Sequence, residues 1–213
     1  MRSATRTANP RSHPLQVAPA IDIKVDSPLW KAQRGVKAVL QRAICEAAAM
    51  AATSGGELAI VLTDDSAIRA LNRDWRGKDQ PTNVLSFPAN SPSPSLPRKP
   101  GRVRAGATSR LAGERSDRAD ARGRVRLLGD IVIAYETMAR EALAEHRPFA
   151  HHLAHLAVHG FLHLVGHDHA ADADADAMEA LEVAVLARLD VPNPYVTPTL
   201  TLPRLRGRVR RGD

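Results

Sequence analysis

The sequence lacks most of the features that mark secreted and membrane-embedded proteins. Cys45 is the one cysteine in 213 residues, so an internal disulfide is excluded, which fits a reducing compartment. No segment approaches the roughly 18 consecutive apolar residues of a membrane-spanning helix. Three arginines lie near the N-terminus, but proline and serine follow them where a signal peptide requires an apolar run. These absences predict a cytoplasmic protein that does not enter a membrane.

Aromatic residues are also scarce, at 3% of the chain, although 44% of the residues are hydrophobic. The core must therefore be built mainly from alanine, leucine and valine. The length suits one domain with flexible additions. We expect a flexible basic arm over residues 1–20, the domain over 21–190, and a proline-rich, then basic, tail over 191–213. Residues 89–126 are rich in Pro, Ser, Gly and Arg, which predicts a disordered basic insertion within the domain.

The net charge of +7 comes from these same segments. Residues 1–20 contain three basic and no acidic side chains. Residues 90–126 contain ten basic and three acidic side chains, and residues 203–213 contain five basic and one acidic. The rest of the chain is therefore acidic. Basic segments add salt-sensitive affinity for phosphate groups, but solvated tails without a partner have the same composition. Composition alone therefore does not establish that the protein binds RNA.

Hydrophobic periodicity predicts an alternation of strands and helices. Strands are expected at 21–25, 57–63, 82–87 and 127–134. Helical spacing runs from about Pro28 to Ala52, and a short helix follows the N-capping residues 64–66 and extends to Trp75. Three more helices are predicted at about 135–145, 148–165 and 171–189. The chain shows no internal repeat.

Eight of the nine histidines lie between His146 and His169, and their spacing predicts a metal site. His159 and His163 are four residues apart, so both can direct a ring nitrogen at one zinc ion at about 2.0–2.1 Å. Gly166 can adopt the left-handed conformation that ends a helix, after which the returning chain brings His169 within reach as a third ligand. Three protein ligands leave one coordination position open, which is typical of a catalytic zinc. We predict one zinc ion per chain.

Other histidines of this segment are alternative ligands. His155 extends the same helix face, but it lies about 12 Å along the axis from His163, so one ion cannot bind both. A site that used His155 and His159 would lack an obvious third ligand. We therefore interpret three histidines as packing or surface residues: His151, His152 and His155. A histidine-rich helix that binds no metal is the remaining alternative.

The turn after the helix contains two further candidates. His167 is an alternative third ligand if the turn has another shape. Asp168 is better placed to orient a ligand imidazole by accepting a hydrogen bond from its second nitrogen.

The spacing of the three predicted ligands is also that of a class of zinc peptidases. In those enzymes a glutamate follows the first histidine and acts as the general base of peptide hydrolysis. Gly160 occupies that position here. The ligand set therefore fits a zinc metallopeptidase, but the base is missing.

Three blocks of sequence resemble one protein family. Residues 159–169 resemble the motif His-Gly-x-Leu-His-Leu-x-Gly-x-Asp-His of the YbeY family, bacterial endoribonucleases of ribosomal RNA maturation. Residues 71–79 (LNRDWRGKD) and 81–88 (PTNVLSFP) resemble its second block, and residues 128–133 (LGDIVI) resemble its third. The blocks occur in the order of the family, and the resemblance covers about residues 21–190.

The resemblance implies a single α+β domain: a small mixed four-stranded sheet, about five helices, and a zinc site on a helix and the turn after it. It also implies that His159, His163 and His169 bind zinc and that Arg76 is the functional arginine of the second block. Two departures stand out. Asn83 replaces an aspartate found in many members, and the 89–126 insertion is much longer than the family's short connection.

Arg76 suits a phosphate contact on chemical grounds alone. A guanidinium presents a planar fork that matches phosphate oxygens, and it stays charged at every relevant pH. In a water-poor cleft it would stabilise the charge of a phosphorane-like transition state by about 3 kcal/mol. We expect Arg76 to face a groove shared with the histidines.

The function implied by the resemblance is zinc-dependent, single-strand-specific endoribonuclease activity. Its expected substrate is the 3′ end of small-subunit ribosomal RNA, and the expected partners are the small ribosomal subunit or its assembly factors. Zinc would polarise the phosphate or lower the pKa of a bound water towards about 7; the attacking group is that water or the ribose 2′-hydroxyl. The alternatives are the metallopeptidase and a non-catalytic, zinc-containing ribosome-assembly factor. The sequence carries no signal for an oligomeric state.

Overall fold

The computed structural model describes residues 17–89, 126–168 and 172–196. Its strands form one four-stranded sheet in the order β1-β2-β4-β3. β1 pairs with β2 and β2 with β4 in parallel, whereas β3 is antiparallel to β4. The strands are β1 (Ala20–Val25), β2 (Glu57–Thr63), β3 (Val84–Pro88) and β4 (Leu127–Ala134). The predicted small mixed sheet is therefore confirmed.

Five α-helices surround the sheet in the described part of the chain, which confirms the α+β fold. They are α1 (Val36–Met50), α2 (Asp65–Arg76), α3 (Tyr135–Ala144), α4 (Phe149–Leu164) and α5 (Asp172–Arg188). The side chain of Asp64 caps α2 by accepting a hydrogen bond from the Ala67 amide at 3.0 Å. No helix of these described segments is both long enough and apolar enough to cross a membrane.

The prediction of one continuous helix from about Pro28 to Ala52 is wrong. Pro28–Ala32 forms a separate 3-10 helix, and α1 begins only at Val36. Trp30 is buried and donates its indole N–H to the Thr63 carbonyl at 2.8 Å, which fixes the short helix against the end of β2. Gly35 has φ +76°, a left-handed conformation that breaks the helical path and that glycine adopts without steric cost.

The two faces of the sheet carry different helices. Ile131 and Ile133 of β4 belong to the main core with residues of α1, α4 and α5. Val132, the residue between them, belongs to a smaller cluster with Ile68 of α2. Because successive side chains of a strand point to opposite faces, α4 and α2 lie on opposite sides of the sheet. This separation decides where the predicted functional residues lie.

Candidate metal centre

Two of the three predicted ligands come together on α4. The Nε2 atoms of His159 and His163 are 3.2 Å apart, and the planes of their rings are nearly perpendicular. Two nitrogens bound at about 2.0–2.1 Å to a tetrahedral zinc would be separated by about 3.4 Å. Both side chains are partly exposed, at 26% and 21%. The two rings therefore face each other with the same nitrogen, Nε2, at a spacing that suits two ligands of one zinc ion, and both side chains are partly accessible to solvent.

A carboxylate lies behind each of these rings. Nδ1 of His159 is 2.7 Å from Oε1 of Glu182, a residue of α5. Nδ1 of His163 is 3.9 Å from Oδ1 of Asp168, which is an ion-pair distance rather than a hydrogen bond. Asp168, the orienting residue favoured from sequence, is 65% exposed, whereas the Glu182 side chain is 1% exposed. Sequence reasoning missed Glu182.

Glu182 is a buried carboxylate with several polar partners. Its burial disfavours the charged form, but hydrogen bonds with His155, His159 and Tyr195 outweigh that effect and lower the pKa of Glu182 to about 2. The Tyr195 hydroxyl donates to Oε2, and Nε2 of His155 lies 3.4 Å from the same oxygen. Burial and this hydrogen bond to a carboxylate raise the pKa of Tyr195. The hydrogen-bond partners around Glu182 therefore favour its negatively charged form.

His169, the predicted third ligand, lies outside the described residues. Within residues 17–89, 126–168 and 172–196, no group of three His, Cys, Asp or Glu side chains is arranged to hold a metal ion. The start of the predicted turn is present. Gly166 has φ +98°, and the His167 amide donates to the Leu162 carbonyl at 3.0 Å. The backbone thus leaves the helix just after His163, as the zinc prediction requires, and the third ligand stays a prediction.

The alternative ligands on α4 have other partners. His155 directs Nε2 at the buried carboxylate of Glu182 rather than at the space between His159 and His163. His152 is 4% exposed and forms a hydrogen bond at 3.0 Å with Glu141 of α3. These contacts give both histidines a role in packing α4 against its neighbours.

Gly160 faces the sheet rather than the histidine pair. A Cβ atom added to Gly160 would lie 3.0 Å from Cγ2 of Ile131 and 3.1 Å from Oγ of Ser86. A larger side chain here would push α4 away from β3 and β4. The glutamate that serves zinc peptidases at this position therefore has neither space nor a direction towards the histidines, which argues against the peptidase alternative.

The helix that ends in Arg76 packs on the opposite face of the sheet from the helix that carries His159 and His163. Arg76 is the exposed last residue of α2, and its neighbour Trp75 packs on Phe87 of the edge strand β3, with ring centroids 5.2 Å apart. At the same end of the sheet but on its other face, the end of α4 packs on Gly129 of β4. A groove shared by Arg76 and the histidines would therefore have to pass around β3.

Asn83 uses both ends of its amide. Its Nδ2 donates to Oε2 of Glu141 at 2.9 Å, and its Oδ1 accepts from the Val84 amide at 2.6 Å. An aspartate here would bring a second carboxylate against Glu141. Burial raises the pKa of Glu141, but hydrogen bonds from His152 and Asn83 outweigh this effect and lower it. Asparagine at position 83, where many family members have aspartate, thus supplies a hydrogen-bond donor to the Glu141 carboxylate.

The sequence matches the family Endoribonuclease YbeY over residues 22–190, a range that includes Arg76 and all three predicted ligands. Curated relatives carry the same name. The Nitrobacter winogradskyi protein is 49% identical over 84% of this chain and 84% of its own length. The Rhodopseudomonas palustris (strain BisA53) protein is 49% identical over 84% of this chain and 91% of its own length. The Bradyrhizobium sp. (strain BTAi1) protein is 47% identical over 85% of this chain and 95% of its own length.

Among solved structures, the solution structure of TM1509 from Thermotoga maritima is 18% identical and covers 80% of this chain and 91% of that protein, with a TM-score of 0.43. The match along the sequence, rather than this structural likeness, decides the family. It covers most of the chain and most of each relative. The chain belongs to the endoribonuclease YbeY family.

Proposed function

We propose that this chain is a zinc-dependent endoribonuclease that cleaves an internal phosphodiester of single-stranded RNA. The observation that supports the proposal is the 3.2 Å approach of the two Nε2 atoms of His159 and His163, on a helix that ends just before the predicted third ligand. His159, His163 and His169 would hold one zinc ion. The 3′ end of small-subunit ribosomal RNA is the proposed natural substrate, in the cytoplasm and within ribosome assembly.

The protein's own residues would hold and orient the reacting groups. The side chains of His159 and His163 are partly exposed, so a phosphate could approach the pair from solvent. When bound, zinc supplies a Lewis acid that polarises the phosphate and lowers the pKa of water. The packing of Gly160 on Ile131 fixes α4, and with it the two imidazoles, against the sheet. A rigid helix is well suited to this task because ligand positions must hold to a few tenths of an ångström.

Arg76 would contact the RNA backbone from the other side of β3. Its exposed position at the end of α2 gives its long side chain access to solvent, and the contact of Trp75 with Phe87 anchors that helix end to the edge strand. RNA bound at the zinc site would therefore have to cross the edge of β3 to reach Arg76. Such a path suits an extended single strand better than a rigid duplex.

The basic insertion would contribute affinity rather than chemistry. Its flanking strands are neighbours: β3 and β4 pair up to Pro88 and Gly129, and the Ala89 amide donates to the Leu128 carbonyl at 3.0 Å. A short connection therefore suffices to join them. Residues 90–125 lie outside the described ranges.

Deleting residues 92–122 is expected to leave the fold intact, because residues 90–91 and 123–126 can still join the two strands. The melting temperature should change by less than about 3 °C, which corresponds to roughly 1 kcal/mol in a chain of this size. RNA affinity should weaken, and its dependence on salt should flatten, because fewer counterions are released. Thermal unfolding and binding at several salt concentrations measure both effects. A large fall in melting temperature, or an unchanged salt slope, would refute the proposed role.

A substrate comparison tests the proposed activity. The purified protein with zinc should cleave an RNA that carries the 3′-terminal sequence of small-subunit ribosomal RNA. The same RNA annealed to its complement should be cleaved much more slowly, and a peptide library should stay intact. Product lengths on a sequencing gel and mass spectrometry of the peptides provide the measurement. Cleavage of peptides without cleavage of RNA would establish the metallopeptidase alternative instead.

A further inference from the structure

Glu182 lies outside the three sequence blocks that define the family resemblance, yet three polar side chains contact its carboxylate: His155, His159 and Tyr195. It is 0% exposed, on the face of α5 that also carries the buried Met178, Val185 and Leu186. Burying a charged carboxylate among such residues is costly unless hydrogen bonds compensate for the lost water. The hydrogen bonds from its polar neighbours, and not packing alone, therefore stabilise the buried side chain of Glu182.

One of its partners is a proposed zinc ligand, His159. The shortest contact with a histidine joins Oε1 of Glu182 to Nδ1 of His159 at 2.7 Å. Oε2 of Glu182 already accepts a hydrogen bond from the Tyr195 hydroxyl, and the carboxylate's other oxygen, Oε1, meets the His159 ring at 2.7 Å, so this contact favours a proton on Nδ1 of His159. A neutral imidazole then has its lone pair on Nε2, the atom that faces Nε2 of His163. The contact thus selects the tautomer that a metal ligand needs.

The remaining contacts hold Glu182 itself in place. Tyr195 donates its hydroxyl to Oε2, and Arg147 donates to the carbonyl of Pro194, the residue before Tyr195. Val191 and Pro194 are also buried, so the chain after α5 packs on the domain. Residues 191–196 belong to the tail predicted from the sequence, but in the structure they complete the surroundings of Glu182.

We propose that Glu182 is a positioning residue of the zinc site: it fixes the tautomer and the orientation of His159, with Tyr195 as its support. This inference rests on the proposed function, since it needs His159 to bind zinc. A carboxylate behind a ligand imidazole raises the basicity of the ligand, and removing such a partner typically weakens metal affinity roughly 10- to 100-fold.

Replacing Glu182 by methionine tests the proposal, because methionine is similar in length, suits a buried helical site and accepts no strong hydrogen bond. Zinc binding, measured by competition with a chromophoric chelator, should weaken by about 10- to 100-fold. Glu179→Met is the matched control. Glu179 is exposed on the same helix and its charge acts on Tyr195, so this variant removes a nearby charge without removing the bond to His159. Its zinc affinity should stay within about twofold of wild type.

A second readout needs neither zinc nor activity. Long-range proton–nitrogen correlation spectra of the metal-free wild-type protein should show His159 as a single tautomer protonated on Nδ1. Glu182→Met should give a mixture of both tautomers. Tyr195→Phe keeps the ring but loses the donor to Glu182, so it should weaken zinc binding by a smaller factor; it also serves if the Met variant does not fold.

The outcomes separate this proposal from the one it rests on. A wild-type protein that binds no zinc refutes the proposed function. If the wild type binds zinc, and the folded variants at 182 and 195 bind it equally well, the role of Glu182 is refuted while the zinc site stands. His159 protonated on Nε2 in the metal-free wild type also refutes it. A combined loss of zinc affinity and of the single tautomer, with Glu179→Met unchanged, supports it.

Discussion

Replacing His163 by alanine is expected to remove both the bound zinc and the cleavage of RNA. His163 supplies half of the nitrogen pair that converges at 3.2 Å, and two remaining ligands hold zinc poorly. The zinc content of the purified protein, measured by mass spectrometry, should fall from about one ion per chain to background. The cleavage rate should fall at least about 100-fold, which corresponds to about 2.7 kcal/mol of lost transition-state stabilisation.

His151→Ala is the matched control for this variant. His151 lies on α4 as well, but its ring is not part of the row of histidine contacts that runs from His152 to His163. The control should keep its zinc and most of its activity. If the His163→Ala protein holds zinc as tightly as wild type, the ligand assignment is wrong.

Arg76→Lys is expected to lose much of the turnover rate while keeping its charge. An ammonium group cannot form the two parallel hydrogen bonds that a guanidinium donates to phosphate oxygens. Because the contact is proposed to strengthen as charge develops, kcat should fall more than KM rises. The loss expected for one electrostatic contact of this kind is on the order of 3 kcal/mol, or about 100-fold. Zinc content and melting temperature should stay close to wild type.

Arg73→Lys provides the comparison on the same helix. Arg73 is exposed one turn before Arg76 and pairs with Asp74 at 2.9 Å, so it is already engaged on the surface. It should tolerate the exchange. Full turnover of Arg76→Lys would show that Arg76 contributes only its positive charge. A metal-free or insoluble variant would show that Arg76 has a structural role in the site. Normal ribosome maturation with a zinc-binding Arg76→Ala protein would instead favour a non-catalytic assembly factor.

Much of the fold follows from local patterns. The β4 bounds agree with the prediction, and α3, α4 and α5 begin and end within one residue of the ranges predicted. These segments carry strong periodicity and clear end signals, such as Gly166 with its positive φ. The helix predicted from Pro28 failed because its apolar spacing continues across Gly35. The tertiary hydrogen bond of Trp30 to Thr63 that separates the two helices cannot be seen in the spacing.

The site was predictable to the extent that it is local. His159 and His163 are one helical turn apart, so their spacing alone brings them together. Glu182 is 23 residues from His159 and reaches it only because α5 packs on α4. One signal was present: a glutamate interrupts the apolar face formed by Met178, Val185 and Leu186. A charge on such a face needs a partner, but sequence alone does not show which one.

The position of Arg76 was the least accessible to sequence reasoning. A block shared with a family indicates that a residue matters, but not which face of the sheet it occupies. The face on which α2 packs is known only from the structure: Ile131 and Ile133 belong to one hydrophobic cluster and Val132 to the other, and this assignment depends on the register of the sheet.

Removing zinc and then restoring it tests whether RNA cleavage depends on the metal. The metal content of the purified protein would be measured, and cleavage of the single-stranded ribosomal RNA fragment would be followed before chelation, after chelation and after zinc is restored. We expect about one zinc per chain, loss of cleavage when zinc is removed, and recovery when one equivalent is returned. Undiminished RNA cleavage by a protein shown to contain no metal would exclude a catalytic role for zinc.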